Sequence, residues 1–304
     1  MAEIIQKDGT WAFDGDTLRI VPGSDKSVGL LRRTLGEVAV PLRAVAGIAY
    51  EAGRKSGRLR LRLRDGADPL LQVTGGKLPD GSDPYVLAVE TRTSGVAEYL
   101  VDEIRNALLL DEVPDGPVDA YLLPGPALPM TVGAGDGTVT FDGRTVRLEW
   151  TWHTDDKKTA AGPVSLPLDD LTDVVWQPAR GLSDGYLRFV TTPHAPRLSP
   201  AHDPMAVELN GFKKDPLMAL LASAVVARLP HPHAPARELA AAPPRALESA
   251  PKALESAPAA PAAPAAEDHD VLLRRLRELG ELHRGGVLTD EEFAAAKQAV
   301  LKRL

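Results

Sequence analysis

The chain has 304 residues, enough for about two domains of ordinary size, with 35 Lys and Arg against 42 Asp and Glu and a formal net charge of −7. The absence of cysteine excludes disulfide frameworks, thiol nucleophiles and every cysteine-based zinc site. A hydrophobic share of 44% beside 25% charged residues excludes a wholly disordered chain, the 5% aromatic share requires aliphatic cores, and the mild acidity disfavours a general nucleic-acid binder.

Residues 1–7 lack the basic start and apolar core of a secretory signal. The longest apolar run, 217–226, falls far short of the roughly 20 residues that span a bilayer. A cytoplasmic location is expected.

An internal repeat sets the architecture. Residues 8–20 read Asp-Gly-Thr-Trp-Ala-Phe-Asp-Gly-Asp-Thr-Leu-Arg-Ile and return at 136–148 as Asp-Gly-Thr-Val-Thr-Phe-Asp-Gly-Arg-Thr-Val-Arg-Leu. In the same order, 38–42 matches 164–168, 48–50 matches 174–176, 57–61 matches 185–189, and Asp83-Pro84 matches Asp203-Pro204. Five matches in one order mean two copies of one domain, expected at 1–110 and 132–229 with a connector at 111–131. Whether that connector is packed or free is open.

Within the first copy, Asp14-Gly15 between Phe13 and Leu18 is a hairpin signal, because Gly takes a positive φ without a steric penalty. Residues 45–50 are β-branched and aliphatic. Residues 58–64 alternate strictly as Arg-Leu-Arg-Leu-Arg-Leu-Arg, a strand with one face buried. Residues 70–73 and 85–89 read as two more strands. Residues 95–110 switch to helical spacing, with Val96, Leu100, Ile104 and Leu108 on one stripe. In the second copy Asp215-Pro216 opens the corresponding helix, with Pro where a missing N–H costs nothing. About seven strands and one terminal helix predict a small antiparallel barrel plugged by that helix.

The Gly-Thr-x-x-Phe-Asp-Gly opening, the Val-x-x-Pro-Leu strand and the closing helix resemble the bacterial family named domain of unknown function 4429, over both copies. That resemblance implies a pleckstrin-homology-like fold and no assigned biochemistry. The expected fold is therefore mainly β with α: two tandem small antiparallel β-barrels, each closed by a C-terminal helix, and a tethered two-helix module behind them.

Residues 230–266 are dominated by Ala and Pro and include a tandem Ala-Leu-Glu-Ser-Ala-Pro. Such a segment buries too little apolar surface to offset ordering entropy and reads as a semi-stiff disordered tether reaching on the order of 100 Å. Residues 267–304 regain helical pattern. Leu272, Leu276 and Leu279 line a first helix, Gly285-Gly286 breaks it, Thr289-Asp-Glu-Glu292 is a capping box, and Phe293, Val300 and Leu301 follow. This stretch resembles the short C-terminal domain (SHOCT) of many bacterial proteins, which implies oligomerisation or docking. Physics points the same way, since two helices this short must bury an apolar stripe against a partner. Self-association through Leu272, Leu276, Leu279, Phe293, Val300 and Leu301 is expected, with packing on the barrels or docking on another protein as alternatives.

The Arg58, Arg60, Arg62 and Arg64 ladder is the one candidate anion or partner face. Residues 1–110 nevertheless hold 15 basic and 15 acidic side chains, so carboxylates temper its field. Lys26, Arg32 and Arg33, with Lys157 and Lys158 in the second copy, are the loop cations that the pleckstrin-like resemblance would offer to a lipid headgroup. The tight Asp-Gly turn and the 10 basic against 16 acidic groups of 111–228 oppose that. Other patterns carry less. Gly133-Ala-Gly-Asp-Gly137 leads into a strand and so is no dinucleotide fingerprint. Asp155-Asp156 and Asp169-Asp170 are neighbours that a strand turns to opposite faces, and read as solvated turns. His231 and His233 lie in the tether without further ligands, and Thr289-Asp-Glu-Glu-Phe293 lacks a calcium loop before it. No catalytic, cofactor or metal residue is nominated, and the chain is expected not to be an enzyme. The leading expectation is a non-catalytic scaffold whose partner is itself or another protein, with nucleic acid and membrane disfavoured. The alternative is a phosphate- or membrane-surface sensor using the basic face of the first copy.

Overall fold

The computed structural model describes residues 1–151, 154–180, 183–191, 198–211 and 215–234. The described residues, through Ala234, belong to one compact unit that holds both copies.

The first copy opens with β1 (Ala2–Gln6), β2 (Gly9–Phe13), β3 (Thr17–Pro22), the short helix α1 (Leu30–Leu35) and β4 (Val38–Pro41). These strands form one antiparallel sheet in the order β1-β2-β3-β4. A 3-10 turn at Leu42–Ala44 carries the chain to a second sheet of β5 (Val45–Glu51), β6 (Ser56–Leu63) and β7 (Val86–Glu90). Helix α2 (Pro69–Thr74) lies between β6 and β7, and α3 (Ser94–Leu110) closes the copy. The second copy repeats this with β8 (Met130–Ala134), β9 (Gly137–Phe141), β10 (Thr145–Trp150), α4 (Asp156–Ala161), β11 (Val164–Pro167), β12 (Leu171–Gln177), β13 (Gly185–Thr191), β14 (Ala206–Leu209) and α5 (Asp215–Val226). Even the irregularity is copied: β5 slips register between Val45 and Gly47, and β12 between Leu171 and Asp173.

Each β-hairpin follows its sequence. Asp14 accepts from the N–H groups of Asp16 and Thr17, and Asp142 from those of Arg144 and Thr145. Those bonds hold both exposed carboxyls below their ordinary value. Gly15 and Gly143 supply φ values of +116° and +104° at the same turns. Along β6 the arginines face out and Leu59, Leu61 and Leu63 face the core.

Four expectations need correction. Among the described residues no ladder joins the four-stranded to the three-stranded sheet, so neither copy is a closed barrel; each is a pair of small antiparallel sheets sharing one core. Pro41 and Pro167 end β4 and β11, where a missing N–H stops the ladder, and the 3-10 turn swings the chain to the other sheet. Residues 70–73 are not a strand. Asp68 caps α2 by accepting from the Leu70 and Leu71 N–H groups, and Pro69 takes the first turn. This is the same Asp-Pro start read correctly at Asp215. The first strand of each copy, β1 and β8, lies ahead of the repeat that marked the domain. On α3 the buried stripe is Ala97, Leu100, Val101 and Ile104, while Val96 points to solvent.

The connector is packed. Val118 and Leu123 are buried, Val118 N–H donates to the Asp65 carbonyl, and both Leu122 and Leu123 donate to that of Ala67. The copies also pack on each other. Leu31, Leu70 and Leu78 of the first copy join the core that contains Val174, Trp176, Leu220 and Leu221 of the second. Helix α5 is consequently buried almost all round, because its inner face meets its own sheets and its outer face meets α1 and α2. Each fully buried leucine there is worth about 1.5–3 kcal/mol over exposure. No helix among the described residues is long and apolar enough to cross a membrane.

Candidate partner-binding face

The ladder cations differ in what they do. Arg58 and Arg60 share the carboxylate of Asp80, at 2.7 and 3.7 Å. Arg64 is half-buried and donates to the carbonyls of Gly116, Arg43 and Pro117, which pins the connector to the end of β6. Its place in the expected binding face is therefore corrected to a structural one. Arg62 is exposed, reaches the Ala46 carbonyl only at 3.5 Å, and has no carboxylate partner among the described residues. Opposite the ladder, Gly47 and Ala49 pair with Arg62 and Arg60 across β5. Their small side chains leave the guanidinium groups uncrowded.

A groove of about 580 Å³ runs between β5 and the end of α3, lined by Gly47, Ala49, Arg62, Arg105, Leu108 and Leu109 among others. Arg105 reaches from α3 over the edge of β5 and donates to the Ile48 carbonyl at 3.1 Å. Leu109 is 76% exposed and Leu110 83%. Strand β5 is the outer strand of its sheet. Sequence reasoning found the arginines and missed Arg105, which no strand or helix pattern ties to residue 48.

Two of the loop cations, Arg32 and Lys158, have structural work. Arg32 is 2% exposed, donates to the Asp8 carbonyl at 2.9 Å and pairs with its carboxylate at 3.6 Å. Lys158 is fully buried and donates to Asp136 and to the Ala206 carbonyl, at 2.5 and 2.9 Å. In each copy the remaining carboxylate bond comes from the last strand: Ala88 N–H to Asp8, Glu208 N–H to Asp136. Each cation lies six residues before the first valine of the fourth strand, Val38 or Val164. That shared offset makes Arg32 and Lys158 equivalent positions of the repeat, though it does not point to their carboxylate partners.

A second cavity, about 260 Å³, lies between the copies with Asp68, Leu70, Tyr85, Pro124 and Leu220 on its walls. Burial holds the Asp68 carboxyl above its ordinary value, opposed by the hydrogen bond from the Tyr85 hydroxyl at 2.8 Å. Burial and the Asp68 charge push Tyr85 well up, and burial raises Tyr121 to about 12. These groups cap α2 and fill the seam between the copies. His231 and His233 are not free in a tether: His231 bonds to the Gly66 carbonyl at 2.9 Å and stacks edge-on to Tyr121, while His233 meets Asp65 at 3.0 Å. Asp155 caps α4 and pairs with His202 at 3.2 Å. Among the described residues no three or more His, Asp or Glu gather as a metal site. Leu272, Leu276, Leu279, Phe293, Val300 and Leu301 lie outside the described residues.

Duplicated antiparallel sheets, each copy closed by a helix and tied by the same buried ion pair, define a tandem-repeat protein. The family model described as Domain of unknown function (DUF4429) matches residues 11–105 and 139–226, more than half of the chain, so the chain belongs to that family. A Short C-terminal domain (SHOCT) matches residues 274–301. No curated protein matches the chain.

Proposed function

We propose that this chain is a non-catalytic, cytoplasmic scaffold. In this reading two pleckstrin-homology-like copies form one binding body, and the SHOCT segment gathers chains through Leu272, Leu276, Leu279, Phe293, Val300 and Leu301. The observation that carries it is the asymmetric packing of the copies: α1 and α2 cover the outer face of α5, whereas the outer face of α3 stays open with Val96, Tyr99, Leu109 and Leu110 exposed. Exposed apolar side chains grouped on one helix mark an interaction surface. The non-catalytic part draws on three buried groups with structural roles: Asp68 caps α2, and the Arg32–Asp8 and Lys158–Asp136 pairs tie strands together. Multiplying a weak surface by tethered assembly would raise its apparent affinity through local concentration.

Light scattering tests the assembly. The full chain is expected to exceed monomer mass, and a version ending after Ala234, which keeps the His231 and His233 contacts, to be monomeric. A monomeric full chain overturns the oligomeric reading.

A further inference from the structure

We infer that the cavity at the seam of the two copies is a binding site for a small primary amine carrying an apolar body, a ligand that goes beyond the scaffold reading and does not depend on assembly. The cavity measures about 260 Å³, and its walls come from four stretches of chain: Val38 on the outer strand of the first sheet, Asp68 and Leu70 at the start of α2, Pro124 in the connector and Leu220 on α5. Protein interiors seldom leave voids larger than a water molecule. A cavity of about 150 Å³ already admits benzene, so this one has room for a ring or branched alkyl group with a short polar arm.

Charge selects the arm. Among the described residues that line the cavity, the charged side chains are Glu37 and Asp68, both carboxylates. Glu37 is exposed and has Arg19 at 3.7 Å. Asp68 is 4% exposed, and no cation pairs with it among the described residues, whereas the buried Arg32 and Lys158 each face a carboxylate. Asp68 Oδ1 accepts from the Leu70 N–H, and Oδ2 from the Leu71 N–H and the Tyr85 hydroxyl. A carboxylate offers about four acceptor places, so Oδ1 keeps one for a further donor. A buried carboxylate without a countercharge is costly; burial accordingly holds the Asp68 proton above its ordinary value, and the Asp83 charge adds to this. A ligand ammonium at Oδ1 supplies both the missing donor and the missing charge, while its apolar body lies against Val38, Leu70, Pro124 and Leu220. An anionic ligand would instead meet two carboxylates.

The test is titration calorimetry of the full chain with a panel of primary amines running from isopentylamine through 2-phenylethylamine to tryptamine, each beside its alcohol and carboxylate analogues. The variants are Asp68→Asn, since Asn keeps the cap by accepting from the same N–H groups, and Ala127→Trp, at an exposed position on the cavity wall. At least one amine is expected to bind saturably and at least tenfold more tightly than its alcohol, with no binding of the carboxylate. Asp68→Asn is expected to abolish that preference, and Ala127→Trp to weaken amine and alcohol alike by at least tenfold. Failure of every amine to bind, an amine no tighter than its alcohol, or a preference that survives Asp68→Asn overturns the proposal. So does amine binding untouched by Ala127→Trp, which would place the amine elsewhere on the acidic surface. Melting curves establish that each variant is folded; should Asp68→Asn fail to fold, the alcohol comparison and Ala127→Trp still decide. None of these outcomes bears on the mass read by light scattering, so the amine site and the assembly reading fail separately.

Discussion

Arg32 closes on Asp8 in the first copy and Lys158 on Asp136 in the second, so one internal tie survives with different chemistry. The outer faces have diverged far more. Helix α5 is buried all round, with Leu220, Leu221 and Val225 at zero exposure, while α3 leaves Leu109 and Leu110 in solvent. Duplication keeps what each copy needs to fold. The surface is what pairing of the copies makes unequal, because among the described residues one copy supplies the helix that covers the other and receives none in return.

The largest expected effect bears on the conserved half of this comparison. Lys158→Met leaves Asp136 buried without its cation and is expected to cost about 3–5 kcal/mol in urea unfolding, with Arg32→Met toward the lower end, since Asp8 is the more exposed carboxylate. Near-neutral variants would show that the tie does not hold the strands of each copy together. Leu70→Ala, at the seam, is expected to cost about 2–5 kcal/mol, whereas Leu109→Ala at the open face should stay within about 0.5 kcal/mol. Equal costs at the two positions would break the contrast between covered and open helices.

Asp68 sharpens the seam by pH. Its folded carboxyl titrates above the ordinary 3.8 because of burial, so the folded chain holds that proton more tightly than the unfolded one. The corresponding stabilisation is present below the unfolded value and lost as pH rises through the elevated folded value. Asp68→Asn removes this titration, so its melting temperature should rise relative to wild type across that window; a constant difference would place Asp68 in a wetter site. A smaller effect than at the seam is expected at residues 231–234. His231→Ala deletes one bond to the Gly66 carbonyl and should cost about 0.5–1.5 kcal/mol, read by the same melting curves.

Much of this was legible along the chain. The repeat, the Asp-Gly hairpins and the alternation of β6 are local patterns, and local sterics and side-chain periodicity suffice to make them. The same logic was available at Asp68-Pro69 but lost to the apolar run behind it, which reads as a strand when its Asp cap is ignored. Asp8 and Asp136 were visible as repeat positions. Their cations stand 24 and 22 residues away, and no local rule joins residues at that distance.

By itself the sequence determined the duplication and which side of β6 faces water, because these follow from backbone geometry and the separation of apolar from charged side chains. Tertiary structure alone decided that the sheets stay open, that Arg64 serves the connector while Arg62 faces solvent, and that α5 is covered where α3 is not. Those outcomes depend on which surfaces of distant segments meet. Burial and charge pairing are settled by such encounters in space, and residues remote along the chain carry no local mark of them.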